Sequence, residues 1–311
     1  MYASKYILIT PARNEQEHIE KTIRSVLSQT IRPLKWIIVS DHSTDKTDEI
    51  VEKYAREFPF IEFLRLRSGH ARDFGSKTRA FNSGYSRAIQ LDYDFICNLD
   101  ADVSFAPDYF EKLLVHFAEN RKLGLASGIV VEKINGRLVQ PNANLESVPG
   151  AIQFFCKPCF NGIGGFLDVP YGGQDGIAEV TARMLGWQTQ SFPELPVMHH
   201  REMGTAGTSI YNARWREGKF EYLVGYHPLF HIARAWQRLC QKPFVIGSFI
   251  RTLSYFAYFL KHPERPVSKA FVRFIRREEL RKLKDGLRKT GKGKLKMEML
   301  NGSARRIEQS A

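Results

Sequence analysis

Short β-rich runs alternate with helical segments through the first 130 residues, and this alternation limits the folds that the chain can adopt. The helical segments carry apolar residues at a helical spacing, as Ile19, Ile23 and Val26 show in the first of them. Regular alternation of this kind predicts an α/β fold, a mostly parallel sheet with helices on both faces. The nearly continuous apolar strands agree, because parallel strands are buried on both sides. The predicted strands are 6–11, 35–40, 61–66, 94–99 and 123–131.

The sequence changes character after the predicted fifth strand. Residues 133–173 have few periodic signals and many Gly, Pro and Asn, so we predict an insertion or a strand-and-loop region that lines a site. A helix is predicted over residues 174–185, and a strand-like run follows at 187–192. After Tyr226 the chain becomes helical and aromatic. The predicted domains are residues 1–225 and a C-terminal helical, basic extension, 226–311.

Positive charge is concentrated near the C-terminal end. Residues 261–311 hold 16 Lys and Arg against 6 Asp and Glu, a balance of +10 within a total of +13. A nearly neutral body with a basic tail predicts contact between the tail and an anionic surface, either a membrane or a nucleic acid. The alternative is a solvated basic helix that meets no partner.

The cysteines and the first residues indicate a reducing compartment. Four cysteines in 311 residues do not make a disulfide framework, and Cys156 and Cys159 form a lone CxxC that we interpret as structural. The chain opens on MYASKYILITP, a strand-like run rather than a signal segment. We therefore expect a cytoplasmic location.

Two carboxylates stand where the fourth predicted strand ends. Asp100 and Asp102 flank one alanine directly after the apolar run 94–99. Aspartate is a poor strand former, and an unpaired buried charge is costly, so we expect the pair to leave the sheet and to meet a partner there. Ligands of open α/β sheets bind at the carboxyl ends of the strands, and residues i and i+2 point the same way. The alternative is a turn with a helix cap.

The turn after the first strand excludes one class of enzyme. Dinucleotide-binding folds need a Gly-rich turn there, whereas residues 11–15 read P-A-R-N-E and contain no glycine. The second strand ends at Asp41, and residues 43–45 are expected to supply N-cap groups for the next helix. Asp41 is not needed for that cap and is therefore a candidate for binding a ligand.

Three motifs, in this order and spacing, resemble glycosyltransferase family 2. They are TPARNEQEHIEKTIRSVLSQT, IIVSDHSTDKT and NLDADVSF. The resemblance covers roughly residues 5–200 and implies a GT-A fold that transfers sugar, with inversion, from a nucleotide-diphosphate donor. It also implies a nucleotide-binding half over about 1–131 and an acceptor half over about 132–225.

The resemblance implies a set of residues around the donor. Glu15 would lie near the ribose or base, and Asp41 would hydrogen-bond the base. Lys77 and Arg79, in a segment that closes over the donor, would contact the base or the diphosphate, with Arg72 as a further candidate. The implied donor-binding residues are Pro11, Arg13, Glu15, Asp41, Lys77, Arg79, Asp100 and Arg214.

The resemblance also implies a divalent cation, Mg²⁺ or Mn²⁺, at Asp100 and Asp102. Asp102 would hold the cation, and Asp100 would touch ribose or the waters of the metal. Such cations suit oxygen ligands and a diphosphate. His199 or His200 would complete the metal shell, although paired histidines are also common as ordinary surface residues.

The resemblance also implies a general base in the acceptor half. An inverting transfer needs one group to take the proton from the acceptor hydroxyl, and Asp175 matches the family's acid at the start of a helix. A helix cap is an equally compatible role for Asp175, and Asp168 is the fallback base. Arg214 keeps part of the family's Q-x-x-R-W, but Tyr211 replaces the glutamine, which argues against a processive polymerase.

Residues 243–260 are almost long enough to span a bilayer, but Arg251 stands near their middle. With basic sequence behind them, a helix lying in the membrane interface fits better. We therefore expect peripheral association with the inner face of an anionic cell membrane. The alternative is an ordinary amphipathic helix packed on the catalytic domain or at a homodimer interface.

The expected function is transfer of one sugar to a glycan or lipid-linked acceptor in cell-envelope polysaccharide or glycolipid synthesis. The alternative enzyme is a polyprenyl-phosphate sugar synthase, whose acceptor is a lipid phosphate. The alternative of another class is an inactive scaffold or nucleic-acid-binding protein. Retention of Asp41, Asp100, Asp102 and Asp175 opposes it, so we expect no nucleic-acid partner.

Overall fold

A computed structural model describes most of the chain, in six stretches that fall into two compact units. We call these the sheet unit, up to residue 170 with 174–201, and the helical unit, 171–173 with 209–289. Arg72 and the basic tail after 289 lie outside the described residues. The described stretches are 4–66, 75–134, 137–139, 144–201, 209–239 and 243–289.

The described part of the sheet unit contains a sheet of nine strands. In space they follow the order β3-β2-β1-β4-β8-β6-β9-β5, with β7 paired to β6. The strands are β1 (Tyr6–Ala12), β2 (Lys35–Ser40), β3 (Ile61–Arg65), β4 (Phe95–Leu99), β5 (Val103–Phe105), β6 (Leu123–Ile134), β7 (Arg137–Val139), β8 (Ile152–Cys156) and β9 (Gln188–His199).

The first four strands confirm the predicted α/β arrangement. β1 pairs in parallel with both β2 and β4, and β2 pairs in parallel with β3. β8, which the sequence did not predict as a strand, lies between β4 and β6 and runs antiparallel to both. The complete sheet is therefore mixed, with a parallel half built from β1 to β4.

Helices cover both faces of this sheet. Alternate residues of β1 point to opposite faces, so Leu8 packs with α1, α2 and α4, whereas Ile9 packs with α3, α5 and α6. The predicted helix over 174–185 is confirmed as α6. The helices of the sheet unit are α1 (Ile19–Leu27), α2 (Thr47–Glu57), α3 (Ser76–Ala88), α4 (Tyr109–Glu119), α5 (Lys157–Ile163) and α6 (Gln174–Met184).

The loops after β1 and β2 are bonded to each other at the carboxyl edge of the sheet. Asn14, at a left-handed φ of 56°, accepts a hydrogen bond at its Oδ1 from the Thr44 amide at 2.8 Å. The Asn14 amide in turn donates to Ser43 Oγ. Ser43 and Thr44 therefore bind the neighbouring loop, and the expectation that they cap α2 is wrong. Asp45 Oδ1 does accept from the Thr47 amide, at the first residue of α2.

In the helical unit, most of the described residues after Tyr226 lie in helices. Tyr222, Leu223 and Tyr255 form its apolar cluster. Among the described helices, none combines the length and the apolar character that a membrane span requires. The domain boundary near residue 225 stays a prediction. The helices of this unit are α7 (Ile210–Val224), α8 (Pro228–Gln237), α9 (Phe244–Lys261) and α10 (Lys269–Lys289).

Candidate active site

Two carboxylates and one imidazole meet where β4 ends and β5 begins. Asp100 and Asp102 follow β4, and Val103 of β5 pairs with His199 of β9, which brings His199 beside Asp102. His199 Nε2 lies 3.5 Å from Asp102 Oδ1. One ligand atom from each of Asp100, Asp102 and His199 lies within 4.8 Å of the others. The structure thus groups the two aspartates with a candidate metal ligand from a distant strand.

A third carboxylate stands behind the imidazole. Glu132 of β6 pairs in register with His199, and its Oε1 lies 3.8 Å from His199 Nδ1. Both atoms are buried and lack a hydrogen-bond partner within the described part of the chain. Metal-binding histidines commonly have a carboxylate at the second ring nitrogen. The donor set of two carboxylates and an imidazole, with Glu132 behind it, therefore fits a divalent cation such as Mg²⁺ or Mn²⁺.

His200, the alternative ligand, faces other groups. Its Nε2 lies 2.9 Å from Ser104 Oγ, and its ring lies parallel to that of His18 with 6.1 Å between centroids. Burial lowers the pKa of His200 to about 4. The geometry therefore favours His199 as the histidine of the metal group.

Two basic side chains, Lys77 and Arg201, lie beside the acidic residues of the site. Lys77 Nζ lies 2.5 Å from Asp100 Oδ1 and also donates to the Gly150 carbonyl at 3.2 Å. Burial raises the pKa of Asp100 to about 6, and the Lys77 charge opposes that rise. Arg201 Nη2 lies 2.7 Å from Glu15 Oε2, and its Nε lies 3.9 Å from Asp102 Oδ2. The sequence did not single out Arg201 or Glu132.

The predicted nucleotide-binding residues lie at the ends of β1 and β2. Asp41 Oδ2 lies 3.3 Å from Arg13 Nη1, and Asp41 Oδ1 lies 2.9 Å from His42 Nδ1. Burial raises the pKa of Glu15 to about 8, the negative charge of Asp102 adds to the rise, and Arg201 opposes it. Pro11, in β1, is half-buried. The contact of Arg13 with Asp41 and the hydrogen bond from Arg201 to Glu15 thus prearrange both acidic side chains.

The two candidate bases have different surroundings. Asp175, in the first turn of α6, lines a pocket of about 210 Å³ together with Lys77, Asn98 and Gly150. Asp168 lies 3.2 Å from Arg79 Nη1 in an ion pair. The preferred base therefore shares a pocket with the cation that holds Asp100, whereas the fallback base is bonded to a predicted donor ligand.

Two predicted donor ligands stay predictions. Arg72 lies outside the described residues, as does most of the glycine-rich stretch expected to form a flap. Arg214 belongs to the helical unit, where its Nη1 lies 2.7 Å from Glu217 Oε1.

Sequence comparisons assign a family and identify relatives. The family model described as Glycosyl transferase family 2 matches residues 7–165. A poly-beta-1,6-N-acetyl-D-glucosamine synthase of Staphylococcus epidermidis is 32% identical over 142 residues, which are 45% of this chain and 29% of the synthase. A synthase of the same name from Staphylococcus aureus strain COL is 32% identical over 140 residues, again 29% of its length. The matched segment thus spans less than a third of these curated relatives.

Solved structures share the fold. A mannosyltransferase of Pyrobaculum calidifontis in complex with GDP-Man and Mn²⁺ matches with a TM-score of 0.54 and 16% identity, over 100% of this chain and 80% of that one. S. aureus TarS 1–349 in complex with UDP-GlcNAc matches with a TM-score of 0.51 and 15% identity, over 82% of this chain and 73% of that one. At this identity the likeness establishes the fold, and the predicted GT-A architecture is confirmed.

Proposed function

The chain belongs to glycosyltransferase family 2, and from that premise we propose that it moves one sugar, with inversion, from a nucleoside-diphosphate donor to a cell-envelope acceptor. The observation that carries the proposal is the group of Asp100, Asp102 and His199 in the same unit as the pocket of Asp175. Relatives named as polysaccharide synthases, and a fold shared with TarS bound to UDP-GlcNAc, support the substrate classes. The acceptor is a glycan or a lipid-linked sugar.

The metal group would act on the diphosphate. Asp102, Asp100 and His199 would hold Mg²⁺ or Mn²⁺, which would supply Lewis-acid stabilisation of the departing nucleoside diphosphate. Glu132 would fix the orientation of the His199 ring from behind. Lys77 compensates the charge of Asp100 and positions it at the carboxyl end of β4.

The nucleoside would bind at the ends of β1 and β2. Asp41, held by Arg13 and His42, would accept hydrogen bonds from the base. Glu15, held by Arg201, would lie at the ribose or base, and Pro11 would contact the nucleotide. The predicted cationic contacts to the base or diphosphate are Lys77, Arg79 and Arg214.

Asp175 would be the general base. Its carboxylate would take the proton of the acceptor hydroxyl while the hydroxyl oxygen bonds to the anomeric carbon. The bond from that carbon to the diphosphate oxygen breaks in the same step, which inverts the configuration. Asp168 remains the fallback, although its pairing with Arg79 already engages its carboxylate.

An assay of nucleoside-diphosphate release tests this function. The purified chain would be given UDP-GlcNAc, GDP-mannose or other nucleotide sugars with Mn²⁺, Mg²⁺ or EDTA, and with oligosaccharide or polyprenyl-phosphate acceptors. We expect one nucleotide to be released, metal to be required, and one acceptor class to accelerate release. Folded protein that releases none of the nucleotides would overturn the proposal. Acceleration by polyprenyl phosphate alone would select the alternative enzyme.

The remaining partners are also proposals. We propose a cytoplasmic protein that associates with an anionic membrane surface through the helical unit. The alternative is that the helical unit forms a homodimer contact. A scaffold without catalysis, or a nucleic-acid-binding protein, is opposed by the meeting of Asp100, Asp102 and His199 around one point. DNA binding that falls steeply with salt, without donor turnover, would favour that class.

Gly150→Ala is predicted to disable Asp175 without unfolding the protein. A Cβ at position 150 would stand 2.2 Å from Asp175 Oδ2, so the carboxylate must move. The carboxylate can rotate away, and the contact of 3.1 Å with Asp175 Cβ requires a further shift of only a few tenths of an ångström. We expect the transfer rate to fall by on the order of 10²-fold, the typical effect of a small misplacement of a reacting group. Initial rates and thermal melting curves measure both effects.

Gly162→Ala is the matched control. It lies in α5, where the nearest heavy atom to a new Cβ is Leu185 Cδ1 at 3.6 Å, an ordinary contact. We expect wild-type rates and a melting temperature equal to or slightly above that of the parent, because alanine favours a helix over glycine. Equal rates for both variants would show that the position of the Asp175 carboxylate does not limit transfer.

A further inference from the structure

The first half of helix α9 buries polar residues and exposes apolar ones, the reverse of the usual pattern in water, whereas Tyr255 in its second half is buried in the apolar cluster. Its buried face includes Arg251, Ser248 and Ser254. On the other side, Phe249 is 66% exposed and Leu253 is 51% exposed. Surface helices in water place their apolar stripe toward the core. The exposed stripe of α9 therefore fits an apolar environment, and the exposed large apolar residues of this helix are Phe244, Val245, Ile246, Phe249, Leu253 and Leu260.

Helix α8 repeats the reversed pattern. His231 is fully buried and bonds to Glu221, whereas Leu229, Ile232 and Trp236 are exposed, Trp236 at 76%. These three lie at i, i+3 and i+7 and so share one face. The two helices are joined by the hydrogen bond from Ser248 Oγ to the Ala235 carbonyl at 2.9 Å. We call the exposed apolar residues of α8 and α9 the apolar surface.

An arginine pocket lies within the same unit. Arg214, Arg238 and Arg251, with Gly247 and Ser248, line a shallow pocket that is open to solvent. Gly247 and Ser248 stand in the chain between exposed Ile246 and Phe249. The pocket and part of the apolar surface are thus built on the same helix, α9.

The guanidinium groups around this pocket share carboxylates with one another. Arg214, Arg238 and Arg251 all approach Glu217, at 2.7, 3.8 and 3.6 Å. Arg251 also pairs with Glu221.

Glu221 is shared in turn with another arginine and with a histidine. Arg234 lies 3.8 Å from it, and His231 bonds to it at 2.6 Å. Burial lowers the pKa of His231 to about 4, so this ring is neutral near pH 7. The pairs described here therefore connect four guanidinium groups to two carboxylates.

Two of these guanidinium groups are partly desolvated. Burial lowers the pKa of Arg238 and of Arg251, and the repulsion of Arg214 lowers both further. A phosphate would relieve that repulsion, because guanidinium groups bind phosphate oxygens through paired, charge-assisted hydrogen bonds. The pocket thus has the chemistry of a phosphate site.

We propose that this pocket binds the phosphate of an anionic membrane lipid while the apolar surface enters the acyl layer. The inference rests on the proposed membrane association and specifies its contacts. A free phosphate would need the arginines but not exposed Phe249 or Trp236, whereas a lipid uses both features. An apolar helix face bordered by cationic side chains is the combination that holds a helix in a membrane interface.

Vesicle co-sedimentation of the full chain tests the proposal. Phosphatidylcholine vesicles would be compared with vesicles that also contain phosphatidylglycerol, in the absence of donor sugar. We expect the parent chain to sediment with the anionic vesicles only. Because binding requires no turnover, a failure of the proposed transferase activity would leave this result unchanged.

Arg238→Lys distinguishes a pocket that binds phosphate through paired hydrogen bonds from a surface that attracts phosphate by positive charge alone. It keeps the charge but removes the planar pair of donors, so we expect anionic-vesicle affinity to fall by about tenfold, the loss of one strong charge-assisted pair. Arg273→Lys, on an exposed position of α10, is the matched control and should bind as the parent does. Equal affinity of both variants would overturn the pocket assignment. Melting curves would verify that each variant is folded.

Phe249→Ser distinguishes binding of a membrane lipid from binding of a soluble phosphate. We expect it to lose vesicle binding while keeping any calorimetric binding of inorganic phosphate. Phosphate binding by a parent chain that ignores anionic vesicles would overturn the lipid assignment. A parent chain that forms dimers through these helices and ignores vesicles would overturn it as well.

Discussion

Asp102→Asn is expected to remove metal-dependent transfer. Asp102 is 7% exposed and lies between His199 Nε2 and Arg201 Nε, at 3.5 and 3.9 Å. Asparagine keeps the shape of the side chain but loses the negative charge that a divalent cation requires. We expect the transfer rate to fall by about 10³-fold, as loss of several kcal/mol of Lewis-acid stabilisation implies. Initial rates over a series of Mn²⁺ concentrations measure the effect.

A charge-matched control accompanies this variant. Asp92→Asn removes the same charge at a side chain that is 90% exposed and pairs only at the surface with Lys5. Surface pairs of this kind contribute little to stability, so we expect parent rates and an unchanged metal dependence. If Asp102→Asn kept the parent rate, or lost rate without any change in metal dependence, the metal group would be wrongly assigned.

Asp175→Asn is expected to stop chemistry while leaving donor binding intact. Asparagine caps helices about as well as aspartate, so this change retains any capping role at the start of α6. It cannot accept the acceptor proton, and we expect the transfer rate to fall by about 10² to 10⁴-fold, the usual contribution of a general base. Single-turnover rates and donor affinity, measured on the same sample, separate the two effects.

Asp168→Asn distinguishes the two candidate bases. Its carboxylate pairs with Arg79 and is half-exposed, so we expect a modest rise in donor KM and little change in kcat. A large fall in kcat for Asp168→Asn, together with a parent-like kcat for Asp175→Asn, would be the opposite result. It would identify Asp168 as the general base. Retention of activity by both variants would exclude both residues.

The parallel half of the fold could be predicted because its strands carry a local signal. β1, β2 and β4 are apolar on both faces, and helices of clear period separate them. Asp100 and Asp102 interrupt that pattern at the end of β4, which is why the sequence already placed them at the sheet edge. A carboxylate in a strand-like run is informative because burying it without a partner is costly.

The rest of the sheet, in which β6 pairs in parallel with β9 and the other pairs are antiparallel, could not be predicted from local pattern. β8 is a run of five residues between Gly150 and Pro158, too short and too uniform to distinguish a strand from part of a helix. Its place between β4 and β6 depends on pairing with strands far away in the chain. Glu132 and Arg201 were missed for the same reason, because their roles arise only once β9 lies beside β6 and β5.

Helical periodicity also did not reveal which face of α9 is buried. The sequence predicted an interfacial helix, with Arg251 as an interruption in an apolar run. In the structure Arg251 is 3% exposed and pairs with Glu221, whereas Phe249 points outward. A period shows that two faces differ, but the buried face is set by partners such as Glu221 on other helices.

Calorimetric titration with UDP, GDP, CDP and TDP, with and without Mn²⁺, tests the central claim most directly. The account predicts that the parent chain binds one of these nucleotides, and that Mn²⁺ strengthens the binding at Asp100, Asp102 and His199. Binding that is indifferent to Mn²⁺ would contradict the metal assignment. Well-folded protein that binds none of the four would contradict the proposal that this family 2 chain uses a nucleotide-sugar donor.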